Sequence, residues 1–146
     1  MQEPTRLSQR RTAEACLSQM REVESVLTEI RPRFNETALF GAIEKAENVY
    51  EQLSTLVDAG LKEKTDQGLE FYKARFKPNI VAQSTAKDGA GFAMLTTFLH
   101  HAESAVVDLE KLIVEINQAD SFVRNVTSAF TDTSLALKYA YLITTN

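Results

Sequence analysis

The only two histidines of this 146-residue chain, His100 and His101, are adjacent. Side chains of adjacent helical residues point about 100° apart, so the pair cannot grip one metal ion as residues four apart do. Position 104, four beyond His100, offers only Ser104. Di-iron helix bundles need Glu-x-x-His on facing helices, whereas here Glu103 follows the histidines. A surface or boundary pair is the expectation. Nucleophilic catalysis fares no better, because no serine sits in a Gly-x-Ser-x-Gly turn and the sole cysteine, Cys16, falls on an apolar stripe that predicts a buried thiol. The Gly89-Ala90-Gly91 loop opens a helix and could offer N–H groups to an anion, but it has neither phosphate-binding pattern and reads as turn chemistry. No catalytic residue, metal ligand or cofactor is expected, and the chain reads as non-enzymatic.

One run does concentrate chemistry. Phe71-Tyr72-Lys73-Ala74-Arg75-Phe76-Lys77 interleaves three aromatics with three cations. From Phe71 to Lys87 the cations are Lys73, Arg75, Lys77 and Lys87, with no acid among them. Such a patch suits phosphates, anionic lipid headgroups or an acidic partner. The plainer reading makes Tyr72 and Phe76 core residues and lets the cations complement a helix C-terminus. The chain as a whole carries a net charge of −4, which gives no basic field for nucleic acid.

The elements that would position these residues are helical. From Phe92 to Phe130 there is no Gly or Pro, and ten of the twelve positions spaced by alternating threes and fours are apolar. About five would be expected at the overall apolar fraction of 44%, so the spacing marks a helix packed lengthwise on another. Its interaction seam is Leu95, Leu99, Val106, Leu109, Ile113 and Ile116. A first helix over 5–31 has the seam Ala13, Cys16, Met20, Val23, Leu27, Ile30 and stops before Pro32. Asn35 then caps a second helix, over 36–76. Its stripe either continues through Gly60 with a period near 3.67 or breaks at 60–66, with Gly60 closing one helix and Thr65 or Asp66 starting another. A turn over 77–91 includes a short helical piece at Ile80–Gln83. The next helix, 92–130, has a weak point at 117–121, where Asp120 interrupts the seam, and a last helix covers 133–144 with caps at Thr131–Thr133.

These spans predict a single all-α domain, 1–146: an elongated antiparallel hairpin or coiled-coil bundle of three to five helices, with 36–76 folded against 92–130. No basic-then-apolar leader and no run near the ~20 apolar residues of a membrane span is seen, so a cytoplasmic protein is expected. The two Asn-x-Thr patterns at Asn35 and Asn125 carry no weight without export. Seam length points to an interaction, scaffold or adaptor module that packs on itself or on a partner helix. The alternatives are an anionic-surface binder through Phe71–Lys77 and, last, a small helical-bundle enzyme or ligand carrier.

Overall fold

The structure, a computed structural model, describes residues 6–86 and 89–145. These residues form six α-helices and no strand: α1 (Arg6–Ile30), α2 (Glu36–Ser54), α3 (Ala59–Lys73), α4 (Val81–Ser84), α5 (Ala90–Val114) and α6 (Ala119–Leu142), with a 3-10 turn at Pro78–Ile80.

The apolar stripe Ala13, Cys16, Met20, Val23, Leu27 and Ile30 is buried along all of α1, and Pro32 follows its end. Asn35 caps α2 as its position predicts, Oδ1 accepting from the Ala38 N–H at 3.0 Å, while Glu36 meets the positive end of the helix dipole. The expected long helix over 36–76 does not form. Neither the continuous stripe nor a break at 60–66 is present, because the chain reverses at 55–58. Two local features cause it. The Ser54 and Thr55 hydroxyls donate back to the Glu51 and Gln52 carbonyls at 2.6 and 2.8 Å, satisfying acceptors that a further turn would have used. Asp58 then starts a new helix, Oδ2 accepting from the Leu61 N–H at 3.2 Å. Gly60 therefore sits in the first turn of α3, and Thr65 and Asp66 lie inside it.

The second long helix divides as well, and the weak point at 117–121 is where it does so. α5 ends at Val114, and after a four-residue turn α6 begins at Ala119, with Asp120 in its first turn rather than at its cap. The turn resets the phase of the stripe. Position 123, on the expected seam, is left outside, and burial follows Phe122, Val126, Ala129, Thr133, Ala136 and Ala140. That stripe keeps its three–four spacing through the threonines at 131 and 133, so no separate helix over 133–144 exists.

α1, α2, α6 and α5 follow one another around a ring, each antiparallel to its neighbours. Asn48 reaches Gln19 and Lys45 reaches Glu22 between α1 and α2, Arg21 reaches Glu110 between α1 and α5, and Asn125 reaches Glu115 between α5 and α6. The expected pairing of 36–76 with 92–130 about the 77–91 turn is thus replaced by two hairpins, α1/α2 and α5/α6. With the turns at 55–58 and 115–118, no helix exceeds 25 residues, about 38 Å at 1.5 Å per residue. The shared interior holds Phe98, Phe130, Met20, Leu27, Leu95 and Leu109, and Tyr50 stacks on Phe130 with ring centroids 4.9 Å apart. α3 lies outside the ring, packed on α6 and joined to α2 through Tyr50–Asp66 and Lys73–Glu47, with no residue of its own fully buried.

Candidate interaction surface

The seam of α5 faces inward. Leu95, Leu99, Val106, Leu109 and Ile116 are buried in the chain's own core, and Ile113 is half-buried beside Leu17 of α1. As a strip open to another chain the seam is therefore not available, because α1 and α6 already cover it. What α5 does expose is a ridge one residue further round. Ala93, His100, Val107 and Val114 recur every seven residues and all face solvent. Val107 is 61% exposed and Val114 82%, and across the turn Val123 is 71% exposed. Val107 and Val114 each follow a seam position directly, which is the sequence signal by which this outer stripe was legible.

The basic–aromatic run divides by role. Phe76 packs against Phe40 (centroids 6.5 Å) and Tyr141 (5.9 Å), and Tyr72 is half-buried, as the core reading predicts. Phe71 is 53% exposed, with the Arg75 guanidinium 3.6 Å from its ring centroid and Arg75 Nη1 donating to the Phe71 carbonyl at 2.8 Å. That contact closes a carbonyl at the C-terminus of α3. Lys73 pairs with Glu47 at 3.0 Å, and the Lys77 backbone N–H donates to Thr144 Oγ1 at 2.8 Å. Lys87 lies outside the described residues. The Phe40–Phe76 contact also brings the α1–α2 turn, with Arg31 and Arg33, to this end of the bundle. These two arginines, about forty positions away in sequence, could not be assigned to the patch from local spacing.

Between α2, α3 and α6 lies a cleft of about 330 Å³ lined by Glu47, Tyr50, Glu51, Asp66, Leu69, Glu70, Lys73, Leu137 and Tyr141. Two tyrosine–carboxylate–lysine sets cross it. Tyr50 Oη donates to Asp66 at 2.5 Å and Lys62 reaches the other Asp66 oxygen at 2.6 Å. Tyr141 Oη donates to Glu47, which also holds Lys73. Burial pushes both phenols well above the usual tyrosine range, and the adjacent carboxylates push the same way. Burial alone would raise Asp66, but the hydrogen bonds from Lys62 and Tyr50 outweigh it and hold the carboxyl low. The phenols are therefore fixed as donors and the carboxylates as acceptors. The arrangement clamps α3 to the ring.

On the far side of α6, Asp108 and His101 of α5 meet Asp132, and His101 stacks on Tyr139. Among the described residues no three His, Cys, Asp or Glu side chains converge to hold a metal ion. Cys16 is fully buried in α1, and burial pushes its thiol up to about 12. The close glycines serve packing: a Cβ on Gly89 or Gly91 would fall 2.4 Å from the Ser84 carbonyl oxygen. No helix among the described residues is long and apolar enough to cross a membrane. No protein-family model, curated protein or solved structure matches the chain significantly.

Proposed function

We propose that the chain is a non-enzymatic helical interaction module that associates with itself or with a partner helix through the outer ridge of α5 and the start of α6. One observation carries the reading: Val107, Val114 and Val123 stand in solvent on neighbouring helices, although every other large aliphatic residue of α5 and α6 is buried or half-buried. Two valines seven residues apart form the stripe that a partner helix packs along. The self-association arm of this reading is tested by sedimentation at micromolar concentration. A species heavier than the monomer is expected, and Val107→Glu with Val114→Glu should return it to monomer while leaving the helical circular-dichroism signal intact. A compact monomer over the whole concentration range would remove self-assembly.

A second reading rests on the charged end of the bundle, where Arg33, Arg75 and Lys77 lie in the same end region as exposed Phe71. Cations around an aromatic edge suit an anionic surface, a lipid headgroup layer or nucleic acid. Vesicles containing an anionic lipid and a single-stranded oligonucleotide separate the two. Reversing Arg33, Arg75 and Lys77 to Glu should abolish any such binding, and unchanged binding by the triple variant would reject this surface.

A further inference from the structure

Where α5 and α6 pair, His101 and Asp108 stand one heptad apart on α5 and meet Asp132 of α6. His101 Nδ1 is 4.0 Å from Asp132 Oδ1, and its ring lies on Tyr139 with centroids 5.3 Å apart and planes 12° from parallel. Asp108 faces Asp132 in the antiparallel register that the Glu115–Asn125 hydrogen bond and the His101–Tyr139 stack set between α5 and α6, and its Oδ2 is buried without a hydrogen-bond partner. Two carboxyl groups can hydrogen-bond to one another only when one of them carries a proton. We propose that this layer is a pH-sensitive latch on the α5–α6 hairpin, closed while the two carboxyls share a proton and loosened when both are ionised.

Lys111 and the His101 imidazole are the basic groups that face the pair. On α5, Lys111 favours ionisation of Asp108, but burial and then Asp132 outweigh it and push the Asp108 carboxyl up to about 7. From α6, Lys138 sits over the Tyr139 ring, 5.7 Å from its centroid. On the other flank of α5, Arg21 of α1 is paired with Glu110, and on the other flank of α6, Glu47 of α2 is taken by Tyr141. A carboxyl raised in the folded state binds its proton more tightly there than in the unfolded chain. Its stabilising contribution is therefore complete below the ordinary value of 3.8 and is lost as pH rises through about 7.

The test is the thermal midpoint of the full chain, followed by circular dichroism from about pH 5.5 to about pH 8.5, beside that of Asp108→Asn, which keeps a donor for Asp132 but cannot ionise. The unmodified chain should lose about 3–6 °C across the window, a shift of the size expected for one such contact. Asp108→Asn should lose less than half as much. Equal slopes in the two proteins would overturn the latch. Should Asp108→Asn fail to fold, carbon-13 NMR of the unmodified chain decides: an Asp108 carboxyl titrating near neutrality supports the proposal, and one titrating below about pH 5, close to an ordinary aspartate, ends it.

Discussion

A methyl group on Gly91 would lie 2.4 Å from the Ser84 carbonyl oxygen and 2.6 Å from that of Ile143. Both are backbone atoms, so neither can swing aside, and Gly91→Ala should destabilise the chain by about 1–3 kcal/mol, as overpacking does. Gly68 is the opposite case. It is an exposed interior residue of α3 whose added Cβ would meet nothing within 4 Å, so Gly68→Ala should raise stability by up to ~1 kcal/mol. Urea denaturation of the two variants checks both signs, and a stabilised Gly91→Ala would show that the α4–α5 junction gives way more easily than its geometry implies. The turn read at Gly89-Ala90-Gly91 ends at Gly89, the N-cap of α5, and Ala90 and Gly91 are already helical. The demand for glycine at 91 was not legible, because the Ile143 carbonyl comes from the far end of the chain. The Asn35 cap was legible for the contrary reason, since donor and acceptor lie three residues apart.

At the scale of elements, α3 is the helix that least resembles the others. It buries no residue fully, carries two glycines, and is held by the half-buried Leu61, Leu69 and Tyr72 together with the two tyrosine–carboxylate–lysine clamps. Helical stability that comes from tertiary packing is therefore lowest here. Native-state hydrogen exchange should show the α3 amides opening ahead of those of α1 and α5, and Tyr50→Phe, which removes the donor to Asp66, should accelerate α3 by about 1 kcal/mol of local opening free energy. The pH sign follows from Asp66. Its carboxyl is held low in the folded chain, so the clamp's contribution is present above the ordinary value of 3.8 and is lost as pH falls below it. Acid should loosen α3 first, the reverse of the effect at Asp108. Uniform exchange across the helices at pH 3 would contradict this. The α2–α3 break itself was hard to read, because Leu53, Val57, Leu61 and Leu69 keep apolar residues at helical spacing straight across it. Asp58 held the deciding signal, a cap whose geometry is recognised only once the chain has turned.

For the molecule as a whole, the distinction that matters is between the stripe that makes the fold and the stripe that is left outside it. The apolar face of α5 was legible, though not to the residue: Leu95, Leu99, Val106 and Leu109 are buried and Ile113 half-buried, Ile116 is buried in the turn beyond the helix, and the fully buried Phe98, Ala105 and Leu112 lie off the expected seam. What one sequence could not tell is which helix covers it, since apolar periodicity records that a face is buried and not by whom. Here α1 and α6 cover it within the same chain, so a seam substitution acts on folding before it can act on association. Leu109, with no exposed surface, should cost about 2–5 kcal/mol when cut to Ala, the transfer term plus the cavity left between α1, α5 and α6. Val107→Ala with Val114→Ala should stay within about 0.5 kcal/mol of the unmodified chain, since neither side chain is enclosed. Equilibrium denaturation and sedimentation of both variants then separate the two stripes. Loss of stability with Leu109→Ala and loss of assembly alone with the valine pair would place recognition on the outer ridge. If instead the valine pair unfolds the bundle, those residues are covered in the native assembly and the ridge belongs to the fold.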